Sequence, residues 1–201
     1  MNRIFLLLLL LFFTMAFTGE TQAKTPKFIG VKKCSKCHKK KKQGNQFSIW
    51  KKSKHSQAFK TLGSKKAKKK AANMGLGGDP QKTDACLVCH TSKFEAAQAR
   101  VDKKFKIEDG VQCETCHGPG SGYRKKKTMK AIYKERGLNR KGDSQTARKR
   151  GLIFPDRNTC KRCHVKQIRI NGKIYKNPSY KPFNFKKKVR KISHPVPERK
   201  G

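Results

Sequence analysis

Cys34-Ser35-Lys36-Cys37-His38, Cys86-Leu87-Val88-Cys89-His90, Cys113-Glu114-Thr115-Cys116-His117 and Cys160-Lys161-Arg162-Cys163-His164 are four copies of one pattern, Cys-x-x-Cys-His. They use all eight cysteines and four of the six histidines of the chain. The pattern reads as c-type haem attachment. Its two cysteines form thioethers with the haem vinyl groups, and the two residues between them span the ring edge. The histidine that follows lies beneath the ring, where its imidazole binds the iron as proximal ligand. The expected cofactors are four covalently bound haems on Cys34, Cys37, Cys86, Cys89, Cys113, Cys116, Cys160 and Cys163, with His38, His90, His117 and His164 on the irons.

Three other chemistries use such cysteine pairs. Zinc takes four nitrogen or sulfur ligands from Cys-x-x-Cys spacings, but gives no reason for a histidine directly after every second cysteine. Disulfides need no histidine. A thioredoxin-like redox motif needs a βαβ setting, of which there is no sign. Haem attachment accounts for all five positions of the pattern.

The amino terminus has the layout of a secretory signal peptide. Arg3 precedes an apolar run from Ile4 to Phe17, broken only by Thr14, and Thr21-Gln22-Ala23 offers small residues before a cut. The run is short for a membrane span, and an uncleaved anchor is the alternative. Either way the body is expected to be periplasmic or otherwise exported. Residues 1–23 form the leader, and 24–201 form one tetrahaem domain with a basic C-terminal tail.

The mature chain is too polar for an ordinary core. Hydrophobic residues are 34% of the whole sequence, and the leader holds much of that share. Such a chain struggles to offset its ordering entropy by burial alone. Four porphyrins change the balance, because each is a large flat apolar surface fixed at three points. The expected fold is mainly α with extensive loops, the haems forming the core.

Charge is the second strong signal. Fifty-two Lys and Arg face twelve Asp and Glu, a net of +40. Four ferric haems with their propionates would bring this to about +36. Lys24 to Gly78 carries eighteen lysines and no acid, and Gly118 to Gly201 carries 27 bases and four acids. Between them, Asp79 to His117 is nearly neutral, with six bases and seven acids. Two basic arms of this size imply attraction to acidic redox proteins and to an anionic membrane surface. No groove-reading helix or aromatic-interleaved basic stripe points to specific nucleic-acid binding.

Periodicity places the motifs. Asn45 to Leu62 reads as a helix ended by Gly63, with His55, Ala58, Phe59 and Leu62 on one face. Met74 to Pro80 reads as a Gly-rich turn, Phe94 to Val101 as a short helix, and Tyr123 to Gly137 as helical. Gly118-Pro119-Gly120 must break any helix after the third motif. Prolines 178, 182, 195 and 197 point to extended or looping chain near the end. Nothing in the pattern supports a sheet of any size.

The sixth iron ligand decides the chemistry. Four proximal histidines leave His55 and His194, which are expected as distal ligands to two irons. The other two irons must use a methionine, a lysine, a neighbour's side chain or nothing. Met74 and Met129 are the methionines of the mature chain.

Several stretches resemble a known family. Lys32-Lys33-Cys34-Ser35-Lys36-Cys37-His38-Lys39, Trp50 with His55 and Ala58, and Asp84-Ala85-Cys86-Leu87-Val88-Cys89-His90 are among them. Gly110-Val111-Gln112-Cys113-Glu114-Thr115-Cys116-His117-Gly118-Pro119-Gly120 is the most specific. Together they are similar to the tetrahaem cytochromes c typified by the electron acceptor of hydroxylamine oxidoreductase in ammonia-oxidising bacteria. The resemblance implies a mainly helical fold with closely packed haem pairs. It further implies that His55 is a distal ligand and that the haem on His90 is five-coordinate. One departure stands out: the family places a distal histidine shortly after the Gly-Pro-Gly turn, and Gly120 to Lys130 contains none. The functional expectation is an exported electron carrier. The alternative is a reductase of small nitrogen or sulfur oxides at an open iron.

Overall fold

A computed structural model of the protein describes residues 25–93, 100–137 and 142–194. The expected leader, the first six residues of the helix expected over 94–101, and prolines 195 and 197 lie outside the described residues. The elements run β1 (Lys27–Phe28), α1 (Val31–His38), α2 (Gln46–Lys52), α3 (Ala58–Leu62), α4 (Lys65–Asn73), α5 (Asp84–His90) and β2 (Arg100–Val101). They continue with α6 (Cys113–His117), α7 (Lys126–Glu135), α8 (Gln145–Lys149), α9 (Arg157–Lys161), β3 (Gln167–Ile170), β4 (Lys173–Lys176) and α10 (Phe185–Val189). The fold is mainly helical, with short helices and long connections. Among the described residues no helix is long and apolar enough to cross a membrane.

Each motif occupies a helical turn. Three end their helices on the histidine, at His38, His90 and His117. The fourth starts in α9 and runs one turn past it, the His164 N–H donating to the Cys160 carbonyl at 3.0 Å. Helical spacing puts the two cysteines, at i and i+3, on one face and the histidine at i+4 beside them. Asp156 starts α9 with a reciprocal cap, accepting from the Thr159 N–H while the Thr159 hydroxyl accepts from the Asp156 N–H.

The third motif is the hub. Glu114, 1% exposed, accepts from the backbone N–H groups of Ile29 (2.9 Å), Gly30 (2.7 Å) and Gly120 (2.6 Å). Burial pushes its carboxyl up, and these three donors pull the other way. Gln112 accepts from the Val31 N–H at 3.0 Å, and its amide donates to the Lys106 carbonyl at 2.7 Å. The segment leading into motif one is therefore pinned to motif three by side chains that sit inside or beside the cysteine pair. Gly118 must be glycine for two reasons. Its φ is +75°, and a Cβ there would run into the Gly151 carbonyl oxygen.

Apolar burial is thin. Tyr123, Ile132 and Ala147 form a small cluster with Met129 and Leu152 packed against it. Phe28, Ile29 and Val31 are buried near β1, and Leu87 and Val88 inside α5. Among the described residues two exposed ion pairs, Lys93–Asp84 at 2.6 Å and Arg148–Asp143, use little of the positive charge.

The helix expected from Asn45 to Leu62 is two helices. Ser53 is extended (φ −79°, ψ 161°), and residues 53–57 form turns between α2 and α3. The cause is tertiary. The His55 carbonyl accepts from the distant Val111 N–H at 3.0 Å, and locally only from the Ala58 N–H at 3.2 Å, a turn bond rather than an α-helical one. Gly110 packs so closely that a Cβ would sit 2.6 Å from that same oxygen. His55 thus sits in the break rather than on a continuous helix face. Of the helix expected over 94–101, the described end is β2, paired in parallel with β1. The tail also holds an antiparallel hairpin, Gln167 opposite Lys176 through Ile170 opposite Lys173, turning on Asn171-Gly172 with both φ positive. The remaining boundaries hold: α3 stops before Gly63, α6 before Gly118, and α7 lies within 123–137.

Candidate haem-binding site

A deep cleft joins motifs one and three. Cys34 and His38 line it together with Cys113, Cys116 and His117, and both spare histidines, His55 and His194, reach it. The cleft encloses about 1360 Å³ of space outside protein atoms, open mouth included. An open cleft lined largely by apolar side chains suits a flat ring system, whereas a structural zinc site is closed by four ligands. Among the described residues no three His, Cys, Asp or Glu side chains converge to hold a metal ion. No disulfide joins any of the eight cysteines.

The motifs meet in space in a set order. The Cys34 and Cys113 side chains lie side by side on the cleft, joining motif one to motif three. The Cys163 thiol lies 3.9 Å from the Val88 carbonyl, joining motif four to motif two. Arg162 donates to the Thr115 carbonyl, joining motif four to motif three.

Three motif histidines are oriented through the ring nitrogen that faces away from a ligand. His38 Nδ1 lies 3.1 Å from Gln46 Oε1, His90 Nδ1 3.0 Å from the Ala58 carbonyl, and His117 Nδ1 3.1 Å from the Ile153 carbonyl. Carbonyl oxygens only accept, so at His90 and His117 Nδ1 carries the proton and Nε2 keeps its lone pair. The Ile153 N–H donates back to the His117 carbonyl at 2.9 Å, which fixes that ring twice over. His164 is held differently: its ring stacks on Phe183, centroids 4.6 Å apart and 22° from parallel.

The two spare histidines each face a motif histidine. His55 and His164 have ring centroids 6.1 Å apart, and His117 and His194 have them 5.9 Å apart. Two imidazoles, each with a nitrogen about 2.0 Å from a shared metal, place their centroids about 6 Å apart. Burial is the main force lowering the pKa of His55, with His164 adding to it. It likewise lowers His194, and brings His117 down to about 4. All three are neutral at neutral pH, the form that binds iron. His194 Nδ1 is buried with no hydrogen-bond partner among the described residues, and so is the Ser53 hydroxyl, also on the cleft. Orphaned buried atoms of this kind mark where a bound group completes the site. The residues present fit haem.

Sequence reasoning singled out every one of these histidines but not their pairing. It missed Phe183, Gln46 and the carbonyls that orient the rings, because long-range contacts leave no local signal.

Four helical Cys-x-x-Cys-His turns, two of them on an apolar cleft, with each remaining histidine facing a motif histidine, define a multihaem c-type cytochrome. The comparisons agree. Residues 33–118 match the family described as cytochrome c554 and c-prime. Cytochrome c-554 of Nitrosomonas europaea is 30% identical over 171 residues, which are 83% of this chain and 69% of that protein. The solved reduced state of cytochrome c554 from Nitrosomonas europaea superposes with a TM-score of 0.50 at 26% identity, covering 83% of this chain and 78% of that one. The chain belongs to the cytochrome c554 family. It is an electron carrier of the c type with covalently bound haem c, and haem supplies one-electron chemistry at its iron.

Proposed function

We propose that this protein is an exported tetrahaem carrier that passes electrons between acidic redox partners. The carrying observation is the two pairs of facing imidazoles, His55 with His164 and His117 with His194, each spaced so that both rings could hold one iron. In this reading Cys34, Cys37, Cys86, Cys89, Cys113, Cys116, Cys160 and Cys163 hold four haems. His38, His90, His117 and His164 are the proximal ligands. His55 completes the site of His164, and His194 that of His117. The contacts that join motifs one with three, three with four, and four with two support an uninterrupted chain of centres. Two strong-field imidazoles at each of these two irons would suit outer-sphere transfer, because they leave no position for a substrate there. The leader-like sequence of residues 1–23 supports export to the periplasm.

His90 has no histidine across from it, since both spare histidines are used elsewhere. That vacancy is what favours the second reading, a small-molecule reductase acting at the haem of motif two. Sustained multiple turnover of a nitrogen or sulfur oxide would promote it over the carrier.

The two basic arms give the carrier its docking chemistry. Charge of this size steers encounter with an acidic protein, or with anionic lipid, over a distance set by the Debye length. That length falls from about 10 Å at 0.1 M salt to about 3 Å at 1 M. Second-order rates of electron exchange with an acidic redox protein should fall by about tenfold or more across this range. Stopped-flow rates that stay flat would remove the acidic partner from the account.

A further inference from the structure

We propose that the iron held by His38 takes the thioether sulfur of Met129 as its second axial ligand, giving the protein one His/Met centre among bis-histidine ones. The assignment rests on the tetrahaem reading and deepens it.

It begins with the histidine count. His194 faces His117 and His55 faces His164, so no histidine remains for His38. A group bound through Cys34, Cys37 and His38 occupies the cleft and meets the side chains that line it. No lysine is among them. Gln46 is committed to the His38 ring on the proximal side. Gln112 has its amide oxygen on the Val31 N–H and its nitrogen on the Lys106 carbonyl. The Tyr123 hydroxyl donates to the Gly118 carbonyl at 2.7 Å, and burial keeps that phenol protonated. The Ser53 hydroxyl is a weak ligand, and a phenol such as Tyr133 binds iron well only once ionised. Met129 brings a soft sulfur that needs no deprotonation.

Its place in the fold suits the role. Met129, Ile132 and Tyr133 fall at i, i+3 and i+4 of α7, Arg136 caps its C-terminal end, and all four line the cleft. Met129 is half-buried against the Tyr123, Ile132 and Ala147 cluster, which fixes its backbone. Its unbranched side chain has three rotatable bonds with which to bring sulfur to iron. Met74, the other methionine of the mature chain, ends α4 and does not line the cleft. Methionine in place of a second histidine raises the reduction potential. Electrons entering the chain would therefore collect at motif one, on the wholly basic first arm.

The test uses holoprotein and the variants Met129→Leu, Met129→His and Met74→Leu, with peptide mapping of haem on Cys34 and Cys37 in each preparation. The ferric wild type should show a far-red sulfur-to-iron charge-transfer band. Met129→Leu should abolish that band and turn one low-spin haem high-spin. Met129→His should abolish it, keep that haem low-spin and lower one potential. Met74→Leu should leave it intact. Absence of the band in the wild type, or its survival in Met129→Leu, overturns the assignment. A Cys34–Cys37 peptide without haem would instead sink the tetrahaem reading, and this proposal with it.

Discussion

Replacing His55 by alanine should convert one low-spin ferric haem to high-spin, and replacing His194 by alanine should convert a different one. Each ring faces a motif histidine with its centroid about 6 Å away. Each is held neutral chiefly by burial, so the lone pair is available without a competing proton. Alanine removes the donor. The loss should be additive, because the two histidines serve different irons: the double variant should show two conversions, not one. Low-temperature paramagnetic resonance counts low-spin and high-spin centres directly. Spectra unchanged in both single variants would remove these ligands from the account. A single variant that altered two centres would break the pairing of His55 with His164 and of His194 with His117.

Replacing Glu114 by alanine should cost more stability than any surface substitution. The carboxylate is the acceptor for three backbone N–H groups, those of Ile29, Gly30 and Gly120. Each donor left buried without a partner costs about 1–3 kcal/mol. The total is a large share of the roughly 5–15 kcal/mol that holds a typical domain together. Glu114→Gln keeps the shape but turns an amide NH₂ toward donors, so it should fall between wild type and alanine. Urea denaturation of the holoprotein, followed by far-ultraviolet circular dichroism, measures both. An alanine variant within about 0.5 kcal/mol of wild type, the range of an ordinary surface change, would mean that motif three does not anchor the lead-in to motif one.

The role of Glu114 shows what kind of information a local pattern carries. The Cys-x-x-Cys-His spacing is written in five adjacent residues, so the four motifs were legible, whereas their helical form was not read from the sequence. The helix stop at Gly118 was legible too, because glycine and proline act locally. The importance of the residue between Cys113 and Cys116 was not, since its partners Ile29 and Gly30 lie far back along the chain. The break at Ser53 belongs to the same class. Residues 46–62 contain no glycine or proline, and the interruption comes from Val111 taking the His55 carbonyl. Helical periodicity put His55 on a face, whereas the fold puts it in a turn where it can look across at His164. The hairpin is a different kind of miss, because its signal was local. Asn171-Gly172 between Ile168, Ile170 and Ile174 is a strong two-residue turn, and the prolines nearby drew the reading toward loops instead. The histidine count stated that two irons lack a second histidine. The family resemblance pointed to the haem on His90 as one of them and to the first motif as the other, and in the folded chain the two spare histidines face His164 and His117 instead.

The central claim is that this thinly cored, strongly basic chain is organised around four covalent haems. Intact mass of the purified protein after acid–acetone extraction tests it most directly, since extraction removes any haem not held by thioether bonds. The account predicts the polypeptide from residue 24 plus four haem masses. The bare polypeptide mass, with zinc recovered in the extract, would contradict it.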